Sequence, residues 1–118
     1  MAWEIEVTDE FKAWYRELTL DECERINSAL EELEIHGPAL DRPYADTVEK
    51  SRYRNMKELR PRGGFIRILF AFDPRRHAIL LIGGDKEGLW NAWYDKMIPI
   101  ADKLYDQYLA ESRAEGVI

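Results

Sequence analysis

The sequence has little cysteine and little histidine. Cys23 stands alone, which rules out an internal disulfide and a thiolate zinc cluster. No positioned histidine accompanies Cys23 in sequence, so it reads as an ordinary helix residue rather than a nucleophile. The two histidines, His36 and His77, come with no clustered carboxylates at metal-ligand spacing, so neither a metal site nor a cofactor is expected. No apolar run approaches the ~20 residues that span a bilayer. The N-terminus, Met1-Ala-Trp-Glu-Ile-Glu-Val7, lacks the basic and apolar regions of a secretion signal. A cytoplasmic protein without membrane contact is expected. No repeat, low-complexity tract or linker interrupts the chain, so residues 1–118 are read as one domain.

What is present is charge, unevenly placed. The chain holds 17 basic and 23 acidic residues, a net of −6. Residues 50–76 hold nine of the basic and two of the acidic ones, a local net of +7. The other 91 residues carry eight basic and 21 acidic, a net of −13. A single-sign field on one segment of an acidic protein suits a polyanion. A salt-bridged sheet facing acidic helices of the same chain fits the same counts.

The periodicities give an order of elements. Residues 2–7 alternate apolar and acidic, as a strand does. Thr8 caps a helix with Phe11, Trp14, Tyr15 and Leu18 on one face, and Thr19 with Glu22 forms a capping box for a second helix that ends at Gly37-Pro38. Residues 37–50 read as a loop in which Leu40, Tyr44 and Val48 dock. A hairpin follows: arm Asn55–Arg60, turn Pro61–Gly64, arm Phe65–Asp73. On the second arm, Ile66, Ile68, Phe70 and Phe72 share one side and Phe65, Arg67, Leu69 and Ala71 the other. A short buried strand, His77–Ile82, comes next. Gly83-Gly84 is expected to turn the chain sharply after it, and lacks the spacing of a nucleotide loop. From Leu89 a helix buries Trp90, Trp93, Tyr94, Met97, Ala101, Leu104, Tyr105 and Tyr108. Pro99 should kink or break it, and the tail from Ser112 should fray. The order β-α-α-β-β-β-α predicts an α+β domain: a small, mainly antiparallel sheet with an N-terminal helical hairpin and a C-terminal helix, the helices on one face.

The hairpin gathers groups that suit RNA cleavage by internal transesterification. That reaction needs a base for the ribose 2′-OH, cations for the phosphorane-like transition state and a proton for the leaving 5′ oxygen. Glu58 is the candidate base. Arg60 and Arg67 are candidate phosphate clamps, because a guanidinium grips two oxygens at once. Lys86 can add charge from the end of the adjacent strand. His77 or Tyr94 can donate the final proton, and Tyr94 or Trp90 can stack on a base. Lys57, Arg54, Arg62, Arg75 and Arg76, with Arg52, would track backbone phosphates. The cluster is expected to be open to solvent.

These residues carry a resemblance. Met56-Lys-Glu-Leu-Arg60, a glycine turn and Ile66-Arg-Ile-Leu-Phe-Ala-Phe-Asp-Pro74 resemble the central hairpin of the RelE/ParE toxin superfamily. Ala78-Ile-Leu-Leu-Ile-Gly-Gly-Asp-Lys86, Trp90-Asn-Ala-Trp-Tyr94 and Ile98-Pro-Ile-Ala-Asp-Lys-Leu-Tyr105 are similar to its HigB-like, often phage-associated branch. The resemblance covers roughly residues 2–110. It implies a type II toxin that cuts messenger RNA without a metal, often on the ribosome, and is neutralised by a small antitoxin from a neighbouring gene. It also implies that Arg60, Arg67 and Lys86 match basic active-site positions, with Glu58 where a carboxylate or lysine stands. The superfamily leaves two alternatives open: a gyrase poison, as in the ParE branch, or a catalytically silent binding member.

Overall fold

The N-terminal part of the chain folds locally, through its helix caps. In the computed structural model, which describes residues 2–118, strand β1 (Ile5–Val7) leads into helix α1 (Asp9–Arg16). The Thr8 hydroxyl accepts from the Phe11 N–H at 3.0 Å and donates to the Leu81 carbonyl at 2.7 Å, so the cap also pins the helix to the sheet. Helix α2 (Leu20–His36) starts on the expected capping box: Thr19 Oγ accepts from the Glu22 N–H at 3.2 Å, and Glu22 Oε1 from the Thr19 N–H at 2.9 Å. It ends at Gly37–Ala39, one turn of 3-10 helix.

Four further strands follow: β2 (Ala45–Thr47), β3 (Lys57–Leu59), β4 (Ile66–Phe72) and β5 (Ala78–Asp85), and then helix α3 (Asn91–Ala114). The sheet order is β1-β5-β4-β3-β2, with β1 parallel to β5 and all other pairs antiparallel. The short strand β2 lies inside the segment read as a loop. Three residues give too little alternation to recognise, yet Leu40 and Val48 bury beside it as expected.

The helices do not share one face. Helices α1 and α2 cover the face with Ile66, Ile68, Phe70 and Leu80, while α3 covers the face with Leu69, Ala71, Ile79 and Leu81. The reason is in β4 and β5, which are apolar on both sides, and strands of that kind need cover on both. A β-bulge between Leu69 and Phe70 shifts the β4–β5 register.

Three other expectations are corrected. Gly83-Gly84 is not a turn: β5 runs through it. The two glycines are where tryptophans seat on the sheet from opposite faces, since a Cβ on Gly83 would lie 2.3 Å from Trp14 and one on Gly84 2.6 Å from the Trp93 indole nitrogen. Of the kink or break expected at Pro99, the break does not occur: helix α3 continues through it, because Ile98, Ala101, Leu104 and Tyr105 bury against the sheet on either side of it. Ile98 and Leu104 alone are worth roughly 1.5–3 kcal/mol each, enough to offset the ~3 kcal/mol a helix-interior proline costs. The tail does not fray at Ser112. That residue is buried, its carbonyl accepts from the Val117 N–H at 3.0 Å, and Ile118 packs on the core.

Candidate active site

The end of the sheet nearest the β3–β4 turn brings together groups from four elements. Glu58 sits on β3, opposite Leu69 of β4 and Asp46 of β2, and points to the α3 face. Arg67 sits on β4, opposite Gly84, whose missing side chain leaves room for Trp93 above it. One step past the Leu59–Ile68 pair, Arg60 comes beside Arg67. Lys86 leaves the end of β5, its N–H donating to the Phe65 carbonyl at 3.0 Å. Tyr94 comes from the first turn of α3.

The geometry is tight but unsaturated. Arg60 Nε and Arg67 Nε each lie 3.7 Å from Glu58 Oε1, close enough for ion pairing and too far for a hydrogen bond. Glu58 is 7% exposed and Arg67 6%, so the cluster is not the open concavity expected from sequence. Helix α3 covers much of it. Arg67 donates from Nη1 to the Ile66 carbonyl at 2.8 Å, and its Nε has no hydrogen-bond partner among the described residues. A buried guanidinium donor without an acceptor is costly in a fold that serves only stability.

The neighbours are tuned by this crowding. Burial, then the charge of Arg67, lowers the Lys86 pKa, partly offset by Glu58. Its ammonium lies 5.3 Å from the Tyr94 ring centre and 5.7 Å from that of Trp90. Burial, then the adjacent Glu58 carboxylate, pushes Tyr94 up to about 12. Tyr94 therefore keeps its proton at neutral pH and can donate a hydrogen bond. Beside the cluster, a groove of about 440 Å³ runs between β2 and α3, with Glu58 and Tyr94 in its wall. Asp46, directly across from Glu58, is a participant sequence reasoning missed. Arg42 holds it ionised through contacts of 2.6 and 3.0 Å, which lower its pKa.

The remaining cations do not converge here. His77, considered as a proton donor for this site, lies before the opposite end of β5, together with Arg75 and Arg76. There Arg75 Nη2 meets Glu6 at 2.8 Å, Asp73 at 3.1 Å and the Tyr108 hydroxyl at 2.6 Å, while His77 Nδ1 lies 2.9 Å from Glu6. Arg76 rests over Trp3, 5.6 Å from the ring centre. Arg52 pairs with Asp106 at 2.5 Å, and Lys50 with Asp95 at 3.6 Å. Arg62 lies in the β3–β4 turn beside α2, with Arg25 and Tyr44. Lys57 is half-buried on β3, and Arg54 is exposed in the loop before it. The salt-bridged reading of the basic stretch thus holds for much of it. Glu6, Asp73 and His77 offer ligand atoms within 4.8 Å of one another, a grouping that spacing along the chain could not reveal. Arg75 already takes the position between the two carboxylates.

A five-stranded sheet with two helices on one face and a long C-terminal helix on the other is a RelE-like fold. The archaeal RelE of a RelE–RelB complex from Pyrococcus horikoshii OT3 superposes with a TM-score of 0.60 at 12% identity, covering 75% of this chain and 99% of that one. A free, substituted E. coli toxin RelE gives 0.59 at 13% identity, covering 76% and 90%.

Sequence narrows the class further. The family described as phage derived protein Gp49-like matches residues 13–106. The candidate toxin HigB3 of Mycobacterium tuberculosis is 52% identical over 87% of this chain and 90% of its own length. The candidate toxin HigB2 of the same organism is 45% identical over 94% of this chain, which spans 56% of that protein. The chain belongs to the Gp49-like, HigB-like family and shares its fold with the solved RelE proteins. Among the described residues, no helix is long and apolar enough to cross a membrane.

Proposed function

We propose that this chain is the toxin of a toxin–antitoxin pair and acts as an endoribonuclease on messenger RNA, inhibiting translation at the ribosome. The observation that carries the reading is the buried Glu58 held 3.7 Å from both Arg60 and Arg67, with an Arg67 donor left unpartnered. A phosphate supplies the acceptor that this donor lacks. Relatives named as toxins support the first half of the reading, and RelE proteins solved with RelB antitoxins support a protein partner of that kind.

The chemistry follows from the positions. Glu58 takes the proton of the ribose 2′-OH. The 2′ oxygen attacks the adjacent phosphorus, and the 5′ oxygen of the next nucleotide leaves, giving a cyclic 2′,3′-phosphate and a free 5′-hydroxyl. Arg67 and Arg60 hold the equatorial oxygens as negative charge builds there. Lys86, its pKa lowered by burial and Arg67, is better suited than Tyr94 to release a proton to the leaving oxygen. Tyr94 keeps its proton and orients Glu58. The residues supply every proton transfer, so the mechanism works without a metal.

The test is primer-extension mapping of mRNA ends after a short induction without antitoxin, for wild type and Arg67→Ala. New ends inside translated regions, absent in the variant, are expected. Growth arrest with intact mRNA would refute the nuclease and point to gyrase or another target. No arrest at all would favour a silent binding member.

A further inference from the structure

Two aromatic residues near Lys86, Trp90 and Phe65, lie outside the core. Trp90 is 49% exposed and Phe65 37%. Phe65 directly precedes β4 and lies on the α3 side with Arg67. Its ring meets that of Trp90 edge-on, 5.0 Å between centres and 85° between planes. Trp90 was expected on the buried face of the last helix, but it precedes that helix with φ +50°. A bulky side chain in the left-handed region costs roughly 1–3 kcal/mol, and such residues concentrate where a ligand is held. Exposure and backbone strain both work against stability here. Burial does not explain the residue, since the neighbouring Trp93 is the one that seats against Gly84.

We propose that the Phe65–Trp90 pair is a stacking platform for a nucleobase next to the phosphate held by Arg67. Phe65 stands two positions from Arg67 along one strand, about 7 Å away. A nucleotide adjoining a phosphate at Arg67 therefore meets the pair. Asp85, the exposed last residue of β5, and Glu87, exposed in the turn after it, repel a phosphate at that place but not a neutral base. Lys86, bonded to the Phe65 carbonyl and close to the Trp90 ring, links platform and cluster. An aromatic face accepts any base, so the platform adds affinity and position more than sequence preference.

This inference rests on the RNA-cutting reading, and its test separates the two. The Glu58→Gln protein, which should bind without cutting, is titrated with a short labelled single-stranded RNA, free and on ribosomes. Trp90→Gly is then added. Glycine accepts φ +50°, so the variant should melt no lower than its parent while losing roughly 10- to 100-fold in RNA affinity. Trp90→Tyr should keep most of the affinity. An RNA lacking one base should lose as much with the parent and nothing more with Trp90→Gly. Unchanged affinity in Trp90→Gly, with RNA still bound, overturns the platform alone. Weakened binding of the cognate antitoxin with unchanged RNA affinity reassigns the patch to a protein partner. Absence of any RNA binding by the parent overturns both readings.

Discussion

The two ends of the central sheet use the same residue types to opposite effect. At the Arg75 end, two carboxylates, one arginine, one histidine and one tyrosine close a network. Arg75 has three partners within 3.1 Å, and Asp73 accepts from the His77 N–H at 2.9 Å and from Tyr108 at 3.1 Å. The network ties β1, the β4–β5 turn and α3 together. At the Arg67 end, Glu58 faces three cations, its ion pairs with Arg60 and Arg67 come no closer than 3.7 Å, and the buried Arg67 Nε has no hydrogen-bond partner among the described residues. A satisfied network is a staple, and an unsatisfied one is a place waiting for a ligand. The charge total of the basic stretch cannot separate the two, because it counts a neutralised arginine and an unpartnered one alike.

The comparison breaks first at Arg67. Replacing it with alanine should lower RNA cleavage by roughly 10²–10³-fold, the usual cost of losing one transition-state donor. Stability in urea should stay within about 1 kcal/mol, because the cation removed is poorly paired and Glu58 keeps Arg60 at 3.7 Å, so no buried charge is left uncompensated. A collapse of stability would mean that this end is a staple as well. Arg75→Ala should do the reverse. Losing the shared partner of Glu6 and Asp73 should lower Tm clearly further than Arg67→Ala does, with cleavage kept at permissive temperature. Equal activity losses in the two variants would erase the distinction.

Lys86 sharpens the contrast through pH. A lysine donor must be protonated, so kcat/KM should fall as pH rises through its pKa. Burial and Arg67 place that limb below the ~10.4 of an ordinary lysine. Lys86→Arg should remove the limb from the accessible range and leave a slower enzyme. An alkaline limb that persists unchanged in the variant would assign the proton to another group.

The elements that act through local pattern were legible in the sequence, and those that act through distance were not. Thr8, Thr19 and Glu22 announce their helices because a cap and its partner lie within three residues. The two faces of β4 are readable because period two is local, and so is the candidacy of Glu58, Arg60 and Arg67. The role of Gly83 and Gly84 depends on Trp14 and Trp93, which arrive from opposite faces. Cover on both faces of the sheet, the strand β2 and the removal of His77 to the far network all depend on tertiary partners. The association of Glu6 with Asp73 and Arg75 spans nearly 70 positions, and no spacing rule reaches that far. The resemblance identified the HigB-like family, but not how the basic residues divide between the two ends.

The smallest effect tests the staple by acid. Burial alone would raise the Asp73 pKa, but the His77 N–H, Tyr108 and Arg75 together hold it below the ordinary value. An unfolded aspartate titrates near ~3.9. Above that pH both states are ionised and the network contributes its full stability. As pH falls through ~3.9 the unfolded chain binds the proton first, and stability is lost until the folded carboxyl is also protonated. Asp73→Asn should therefore flatten the decline of unfolding free energy on the acid side while lowering stability at neutral pH. Glu58→Gln offers the control at the other end, where no closed network exists to be lost. If the acid slope is the same in wild type and Asp73→Asn, Asp73 is not held in its charged form by Arg75 and Tyr108, and the far end is no more closed than the near one.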